Sequence, residues 1–178
     1  MHALQFRKAV LTDLPRLLDL INQAYREDSP YSWSNEAKYV SGLRINEQQL
    51  REALEDKSFH LYVAEIDLDP ASSRIVATIG LTFNYDEVEI GAFCVDPTFQ
   101  NTGIGKAVLS FAEKQALLVQ PELHIYVMYV LDIRVELIAY YQRRGYSPTA
   151  HKHAYPLDAN VGQPFMHIEL LQLIKKKN

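Results

Sequence analysis

Residues 95–105, Val-Asp-Pro-Thr-Phe-Gln-Asn-Thr-Gly-Ile-Gly, have the composition of a loop that binds an anion through its main chain. A strand-like run ends at Val95, and helical spacing begins at Ile104. The first N–H groups of a helix have no internal partner, and the helix dipole adds about half a positive charge there. Glycine lets an anion approach closely because it has no Cβ. Gly103 and Gly105 therefore predict a cradle for a pyrophosphate.

Two glycines before a helix are weak evidence by themselves, because a tight strand-to-helix turn without a ligand uses the same residues. Other phosphate-binding loops do not match the sequence. No Gly-Lys-Ser/Thr follows, and the three spaced glycines of a dinucleotide-binding fingerprint are missing. The surrounding sequence is therefore needed to distinguish an anion-binding loop from a strand-to-helix turn without a ligand.

A second informative segment lies downstream and is predicted to be helical over residues 134–143. Arg134, Leu137, Ile138 and Tyr141 recur at i, i+3, i+4 and i+7, which places them on one face of the helix. The phenol of Tyr141 is therefore expected to point toward the sheet. Tyr140, one step round the helix, is expected to face elsewhere.

Together the two segments resemble the signatures of the GNAT superfamily of N-acetyltransferases. Val95-Asp96-Pro97 followed by Gln-x-x-Gly-x-Gly is similar to its acetyl-CoA signature, and residues 137–146 resemble its later helix, which ends in Tyr, three residues, Gly and an aromatic. The resemblance extends over residues 4–173 and is most specific over 89–146. It implies an N-acetyltransferase with acetyl-CoA as cosubstrate.

The resemblance also implies which residues contact acetyl-CoA. These are Phe93, Cys94, Val95, Gln100, Asn101, Thr102, Gly103, Ile104, Gly105, Lys106 and Arg134. The chain departs from the family pattern at two of them. Thr102 stands where Arg or Lys is frequent, and Arg134 stands where Asn is common, although its fixed charge still suits a phosphate.

Acetyl transfer to an amine needs a neutral amine, stabilisation of the carbonyl oxygen and a proton for the departing thiolate. The resemblance implies Glu89 as the base, directly or through a water, with a solvent-facing carboxylate equally open. It implies a main-chain N–H near Val95 for the oxygen, on a strand that diverges from its neighbour, and Tyr141 as the proton donor. Strand alternation is expected to place Glu89, Gly91, Phe93 and Val95 on one face.

The acceptor side is less defined by sequence. Tyr31 and Trp33 lie between the first helices, where family members place substrate-facing loops, and packing against the sheet is the alternative. Glu27, Asp28 and Glu36 would suit a cationic amine.

A metal site is not expected. His151 and His153 share a strand face but lack a third ligand at suitable spacing. Cys94 is interpreted as a small core residue rather than a nucleophile.

The hydrophobic spacing predicts the element order β-α-α-α-β-β-β-α-β-α-β-β. Asn35 and Asn46 are each expected to cap a helix, residues 74–83 and 87–95 to form a hairpin, and residues 165–173 to form the last strand. The expected fold is a single α/β domain over residues 1–178, with a mixed, largely antiparallel central sheet flanked by helices.

Composition limits the function further. A chain of 178 residues with a net charge of −4 and one cysteine has neither a basic stripe for nucleic acid nor an apolar run that would cross a membrane. We expect a cytoplasmic enzyme that acts on a small-molecule amine. Acetylation of a protein or peptide, and a non-catalytic acyl-CoA-binding domain, stay open as alternatives, as does a homodimer.

Overall fold

The computed structural model describes residues 4–27, 35–69 and 72–177. Nine strands and four helices are present within these residues. The strands are β1 (Leu4–Lys8), β2 (Val40–Ser41), β3 (Phe59–Asp69), β4 (Ser72–Phe83), β5 (Glu87–Val95), β6 (Ile125–Leu131), β7 (Ser147–Ala154), β8 (Gln163–Pro164) and β9 (Glu169–Lys176). The helices are α1 (Leu14–Arg26), α2 (Glu47–Glu55), α3 (Ile104–Val119) and α4 (Val135–Gln142).

Seven strands form one sheet in the order β1-β3-β4-β5-β6-β9-β7. Every neighbouring pair is antiparallel except β5 and β6, which are parallel. The short strands β2 and β8 pair separately. The predicted mixed, largely antiparallel sheet is confirmed, and so is the hairpin of β4 and β5.

The helices cover both faces of the sheet with two hydrophobic clusters. On one face, α3 and α4 pack on the strands around Leu109 and Tyr126, a cluster that we call the α3 core. On the other face, α1 and α2 pack around Leu17 and Leu50, which we call the α1 core. Full burial of one such leucine side chain contributes about 1.5–3 kcal/mol to stability.

Two local predictions about helix starts have different outcomes. Asn46 caps α2 as predicted, and its side chain accepts a hydrogen bond of 2.9 Å from the Gln49 N–H. The helix predicted after Asn35 is wrong. The Asn35 side chain accepts from the Ala37 N–H in a local turn, and the chain continues into β2.

The last strand begins later than predicted, at Glu169 rather than at residue 165. The preceding residues, Gln163 and Pro164, pair with β2 instead of joining the large sheet. Phe165 is 64% exposed, so its apolar character misplaced the predicted boundary.

Candidate functional site

Strands β5 and β6 are neighbours for only part of their length. Their parallel pairing covers three residues of each strand and ends at Glu89 and Val127. Beyond this point β5 continues to Val95 and β6 to Leu131, and no further pairing joins them in the described part of the chain. A cavity of about 510 Å³ lies at this gap and is lined by residues of both strands.

A bulge interrupts β5 at Ala92. The pairing with β4 passes from Thr78–Cys94 to Gly80–Gly91, so β5 holds one more residue than its partner. Ala92 has a φ of 45°, and its carbonyl accepts a hydrogen bond of 2.7 Å from the Thr78 hydroxyl. An extra residue reverses the side toward which the following side chains point.

The bulge overturns the alternation expected along β5. Val88 and Ile90 pack in the α3 core, so Glu89 between them points to the opposite face of the sheet. After the bulge, Phe93 and Val95 also pack in the α3 core. Glu89 and Phe93 therefore lie on opposite faces, although uninterrupted alternation placed them on the same one.

The main chain of Val95 faces the gap. The next N–H group, that of Asp96, donates to the Val76 carbonyl on β4 at 2.7 Å. Successive N–H groups along a strand point to opposite edges, so the Val95 N–H points away from β4. The Val95 carbonyl accepts from Gln100 Nε2 at 3.0 Å. The Val95 N–H is thus a main-chain donor at the cavity wall.

The glycine loop leads directly into the first turn of α3. A hydrogen bond of 3.1 Å runs from the Ala107 N–H to the Gly103 carbonyl at the start of α3, so the N–H groups of residues 103–106 have no partner within the helix. Gly103 has a φ of 89°, and a Cβ there would meet no atom within 4 Å. At Gly105 a Cβ would lie 3.2 Å from the Tyr140 hydroxyl. The loop is open at the first glycine and tightly packed at the second.

Most of the predicted catalytic and cofactor residues line the cavity. They are Glu89, Phe93, Cys94, Val95, Gln100, Asn101, Gly103, Gly105, Lys106 and Tyr141. Thr102, Ile104 and Arg134 do not line it. The Thr102 hydroxyl donates to the Phe99 carbonyl at 2.6 Å, Ile104 packs against the α3 core, and Arg134 precedes the first turn of α4.

Asp96, which the sequence identified only as part of the motif, supports the loop from its N-terminal side. The carboxylate is 2% exposed and accepts hydrogen bonds from Arg16 (2.7 Å), Arg74 (2.8 Å) and the Thr98 N–H (3.0 Å). Burial by itself would raise the pKa of Asp96, but the hydrogen bonds from Thr98 and Arg16 outweigh it and hold the pKa below its ordinary value. An Asp before Pro-Thr is a common capping pattern, which was the available signal.

Two tyrosines of α4 line the cavity rather than one. Tyr141 is 7% exposed, and its ring lies beside those of Phe93 and Tyr146, with centroids 6.5 and 6.0 Å away. Burial raises the pKa of Tyr141 well above its ordinary value, so the phenol stays protonated at neutral pH. The prediction that Tyr140 faces elsewhere is wrong, because Tyr140 also lines the cavity. The Cζ atom of Arg144 lies 3.3 Å from the centroid of the Tyr140 ring.

The end of the cavity next to α1 has its own set of polar residues. The Tyr25 hydroxyl donates to the Phe93 carbonyl at 2.9 Å, and the guanidinium of Arg44 lies 5.4 Å from the centroid of the Tyr25 ring. Glu36 also lines this end, where Arg26 pairs with it at 2.6 Å. Tyr25 and Arg44 escaped prediction, since helical spacing marks Tyr25 as core and nothing in the sequence marks Arg44.

Glu89 is partly buried and lines the cavity. Burial, and then the neighbouring carboxylate of Glu87, raise the pKa of Glu89 above its ordinary value, while His153 acts in the opposite direction. A carboxylate with a raised pKa is a stronger proton acceptor.

Three further predictions concern residues outside this arrangement. Tyr31 and Trp33 lie outside the described residues. His151 and His153 are exposed on β7, and no group of three or more His, Cys, Asp or Glu side chains that could hold a metal occurs among the residues described. Burial raises the pKa of the Cys94 thiol to about 11, which agrees with a core residue rather than a nucleophile.

None of the four described helices combines the length and the apolar character that crossing a bilayer requires.

Several solved structures are similar to the whole chain. The ribosomal-protein-S18-alanine N-acetyltransferase from Escherichia coli matches with a TM-score of 0.68 at 15% identity, over 98% of this chain and 94% of that chain. A ribosomal-protein-alanine N-acetyltransferase from Brucella melitensis gives 0.67 at 20% identity, over 97% and 99%. A spermidine N-acetyltransferase mutant from Vibrio cholerae gives 0.67 at 14% identity, over 97% and 93%. At such identities these likenesses establish the fold alone.

No curated protein matches the chain significantly. The profile of the Acetyltransferase (GNAT) family, in contrast, matches residues 18–146, which include β5, the glycine loop and α4. Because this match covers well over half of the sequence, the chain belongs to the GNAT family of acetyltransferases.

Proposed function

We propose that this chain transfers the acetyl group of acetyl-CoA to the primary amine of a small molecule. As a GNAT member the chain is an acyltransferase, and the family uses acetyl-CoA as cosubstrate. One observation carries the finer proposal. A single cavity at the gap between β5 and β6 is lined by the glycine loop and Tyr141 from one face of the sheet and by Glu89 and Tyr25 from the other. The two substrates can therefore approach from opposite faces and meet at β5.

The glycine loop fits the diphosphate of acetyl-CoA. The N–H groups of residues 103–106 have no helical partner, and the space beside Gly103 is open. Lys106 lines the cavity and adds a cation near these amides. The unpaired edge of β5 offers main-chain groups to an extended arm, as a neighbouring strand would use them. When bound, acetyl-CoA supplies an acetyl group activated as a thioester.

Three groups of the chain divide the remaining chemistry. Glu89 accepts a proton from the amine, directly or through a water, so that a neutral nitrogen attacks. The Val95 N–H donates to the carbonyl oxygen and stabilises the negative charge that builds on it. Tyr141 donates its phenolic proton to the departing sulfur. The amine loses one proton to Glu89 before it attacks and a second proton once the C–N bond has formed and the C–S bond breaks. The second proton replaces the one that Tyr141 gives to the sulfur, so the products are the amide, the free thiol and the proton taken up by Glu89.

The surroundings of the acceptor end favour a small molecule over a protein chain. The pairing of β2 with β8 ties the segment of Glu36 and Arg44 to the segment of Tyr155 and Val161, and all four residues line the cavity. We expect this connection to restrict the entry of an extended peptide into the cavity. Tyr31 and Trp33 stay predicted contributors to the same end.

A substrate screen tests the proposal. Release of free CoA thiol is followed with acetyl-CoA held constant, over small amines and over peptides with free N-termini or lysines. We expect release with at least one small amine and little with peptides. Activity on peptides alone would replace the small-molecule acceptor with a protein.

Cofactor binding is measured separately, as the shift of melting temperature by acetyl-CoA. A clear shift combined with no CoA release from any amine, peptide or protein would identify a non-catalytic acyl-CoA-binding domain.

A further inference from the structure

Among the described residues, an arginine at the acceptor end of the cavity has no acidic partner. Arg44 lines the cavity and is partly buried. Its guanidinium lies over the ring of Tyr25, and no carboxylate of the described residues is within ion-pair distance of it. Partly buried guanidinium groups normally have a carboxylate or another anion beside them.

The position of Arg44 is set by its main chain. The side chain of Asn22 on α1 accepts hydrogen bonds from the N–H groups of Arg44 (2.8 Å) and Ile45 (3.3 Å) and donates to the Ile45 carbonyl at 2.9 Å. This clamp holds residues 44 and 45 against the first helix. A side chain on a fixed main chain is suited to recognise a ligand, because less freedom is lost on binding.

Arg44 is on the wrong side of the sheet to serve the diphosphate of the cosubstrate. The glycine loop leads into α3, which covers one face of the sheet, whereas Tyr25 belongs to the α1 core on the other. The Tyr25 hydroxyl contacts the Phe93 carbonyl at the bulge of β5. One tyrosine side chain therefore spans the distance from Arg44 to the place where the two substrates meet.

The carboxylate of Glu36, which lines the same end of the cavity as Arg44, is already paired. Glu36 pairs with Arg26, which also donates to the Gly42 and Val161 carbonyls. A polyamine would thus bring a second cation beside Arg44 and find Glu36 engaged. Of the three acidic residues that suggested a cationic acceptor, Glu36 is therefore engaged by Arg26, and Asp28 lies outside the described residues.

We infer that the acceptor amine also carries an anionic group, a carboxylate or a phosphonate, which Arg44 binds while the amine lies near Glu89. This inference rests on the proposed function and names its substrate class as small amino acids or their phosphonate analogues. Guanidinium presents two parallel N–H donors that match both anions.

A matched set of acceptors tests it with the wild-type enzyme. The set is β-alanine, its carboxamide, propylamine and 2-aminoethylphosphonate, extended by the common L-amino acids and their carboxamides. CoA release at saturating acetyl-CoA gives kcat/KM for each. We expect the best acid to exceed its own carboxamide by about tenfold or more, as for hydrogen bonds to charged groups. Preference for phosphonate over carboxylate would identify the source of the anion.

Substitution of Arg44 locates the recognition. Arg44→Gln is expected to raise KM for the anionic acceptor about tenfold or more and to leave kcat, KM for acetyl-CoA and activity on the carboxamide nearly unchanged. Arg44→Lys should recover part of the loss, because it keeps the charge but not the fork. Arg51→Gln, which removes an exposed arginine paired with Glu47 on α2, is the matched control and should behave as wild type.

The outcomes distinguish failure of the anionic acceptor from failure of the acetyltransferase function. Carboxamides or propylamine used as well as the acids, or an Arg44→Gln enzyme that keeps its preference for acids, would overturn the anionic acceptor while the acetyltransferase stands. CoA release with peptides alone would also overturn it. If acetyl-CoA shifts the melting temperature but no acceptor releases CoA, the proposed function fails and this inference fails with it.

Discussion

The two ends of the cavity are built in different ways. The end that faces α3 uses main-chain N–H groups from a short continuous segment, residues 103–106, together with the edge of β5. The end that faces α1 uses side chains from distant segments, among them Tyr25, Arg44, Glu89 and Tyr155. Main-chain donors bind a constant chemical group, whereas side chains can be exchanged without changing the fold. The comparison explains why the cosubstrate follows from family membership and the acceptor does not.

The largest expected effect is on acetyl-CoA binding at the α3 end of the cavity. Gly103→Asp should weaken acetyl-CoA binding about 100-fold or more, because unit charges about 4 Å apart near a protein surface repel by about 4 kcal/mol. Isothermal titration calorimetry measures this. Gly103→Asn is the control, since asparagine has the same shape without the charge and tolerates the left-handed conformation of Gly103. Unchanged affinity in the Asp variant would remove the glycine loop as the phosphate site.

The next effect lies at the boundary between the two ends. Tyr141→Phe should lower kcat by roughly 100- to 10,000-fold, the range of lost acid–base catalysis, with acetyl-CoA affinity nearly intact. Steady-state kinetics with the best acceptor of the screen gives the value. Tyr140→Phe, on the adjacent tyrosine that also lines the cavity, is the matched control and should retain most of the activity. Full activity of Tyr141→Phe would exclude this phenol as the proton donor.

A smaller effect concerns the support of the glycine loop. Asp96→Asn should lower the free energy of unfolding by about 1.5–3 kcal/mol, the range for hydrogen bonds to a charged group, because the buried carboxylate binds two partly exposed arginines. The pKa of Asp96 is lowered in the folded state, so its stabilisation is present above an ordinary Asp pKa of about 3.9 and is lost as pH falls through the folded value.

Urea denaturation at pH 7 and at lower pH measures this effect, and the difference between Asp96→Asn and wild type should shrink in acid. Glu47→Gln, which removes an exposed ion pair on α2, should leave the midpoint nearly unchanged. A constant difference at all pH values would exclude the charge of Asp96 as the cause.

The smallest expected effect is a shift in the pH dependence of activity, which depends on Glu89 at the α1 end. Activity should rise with pH through the raised pKa of Glu89, because only the ionised carboxylate accepts a proton. Glu87→Gln removes the nearby charge that contributes to the raised pKa, so the acid limb of kcat/KM should move to lower pH with an unchanged plateau. Glu89→Gln should lose both the limb and most of the activity. A limb that persists in Glu89→Gln would assign the base to another group.

Much of the fold could be predicted because local rules decided it. The bounds of β5 and the cap at Asn46 follow from spacing and side-chain chemistry that neighbouring residues alone satisfy. The helix expected at Asn35 and the early start of the last strand failed for one reason. In both places the chain pairs as β2 or β8 with a distant segment, which no local pattern encodes.

The sequence by itself determined the family of this protein and predicted its donor side, because the glycine loop and the tyrosine of α4 lie in contiguous segments whose residue types and spacing indicate their chemistry. Only the tertiary structure decided which face each group occupies. The bulge at Ala92 turns Glu89 and Phe93 to opposite faces of the sheet, and the clamp by Asn22 brings Arg44 over Tyr25. These arrangements depend on pairing and packing between segments that are far apart in the chain. The number of residues between two such segments does not specify the distance between them in the fold.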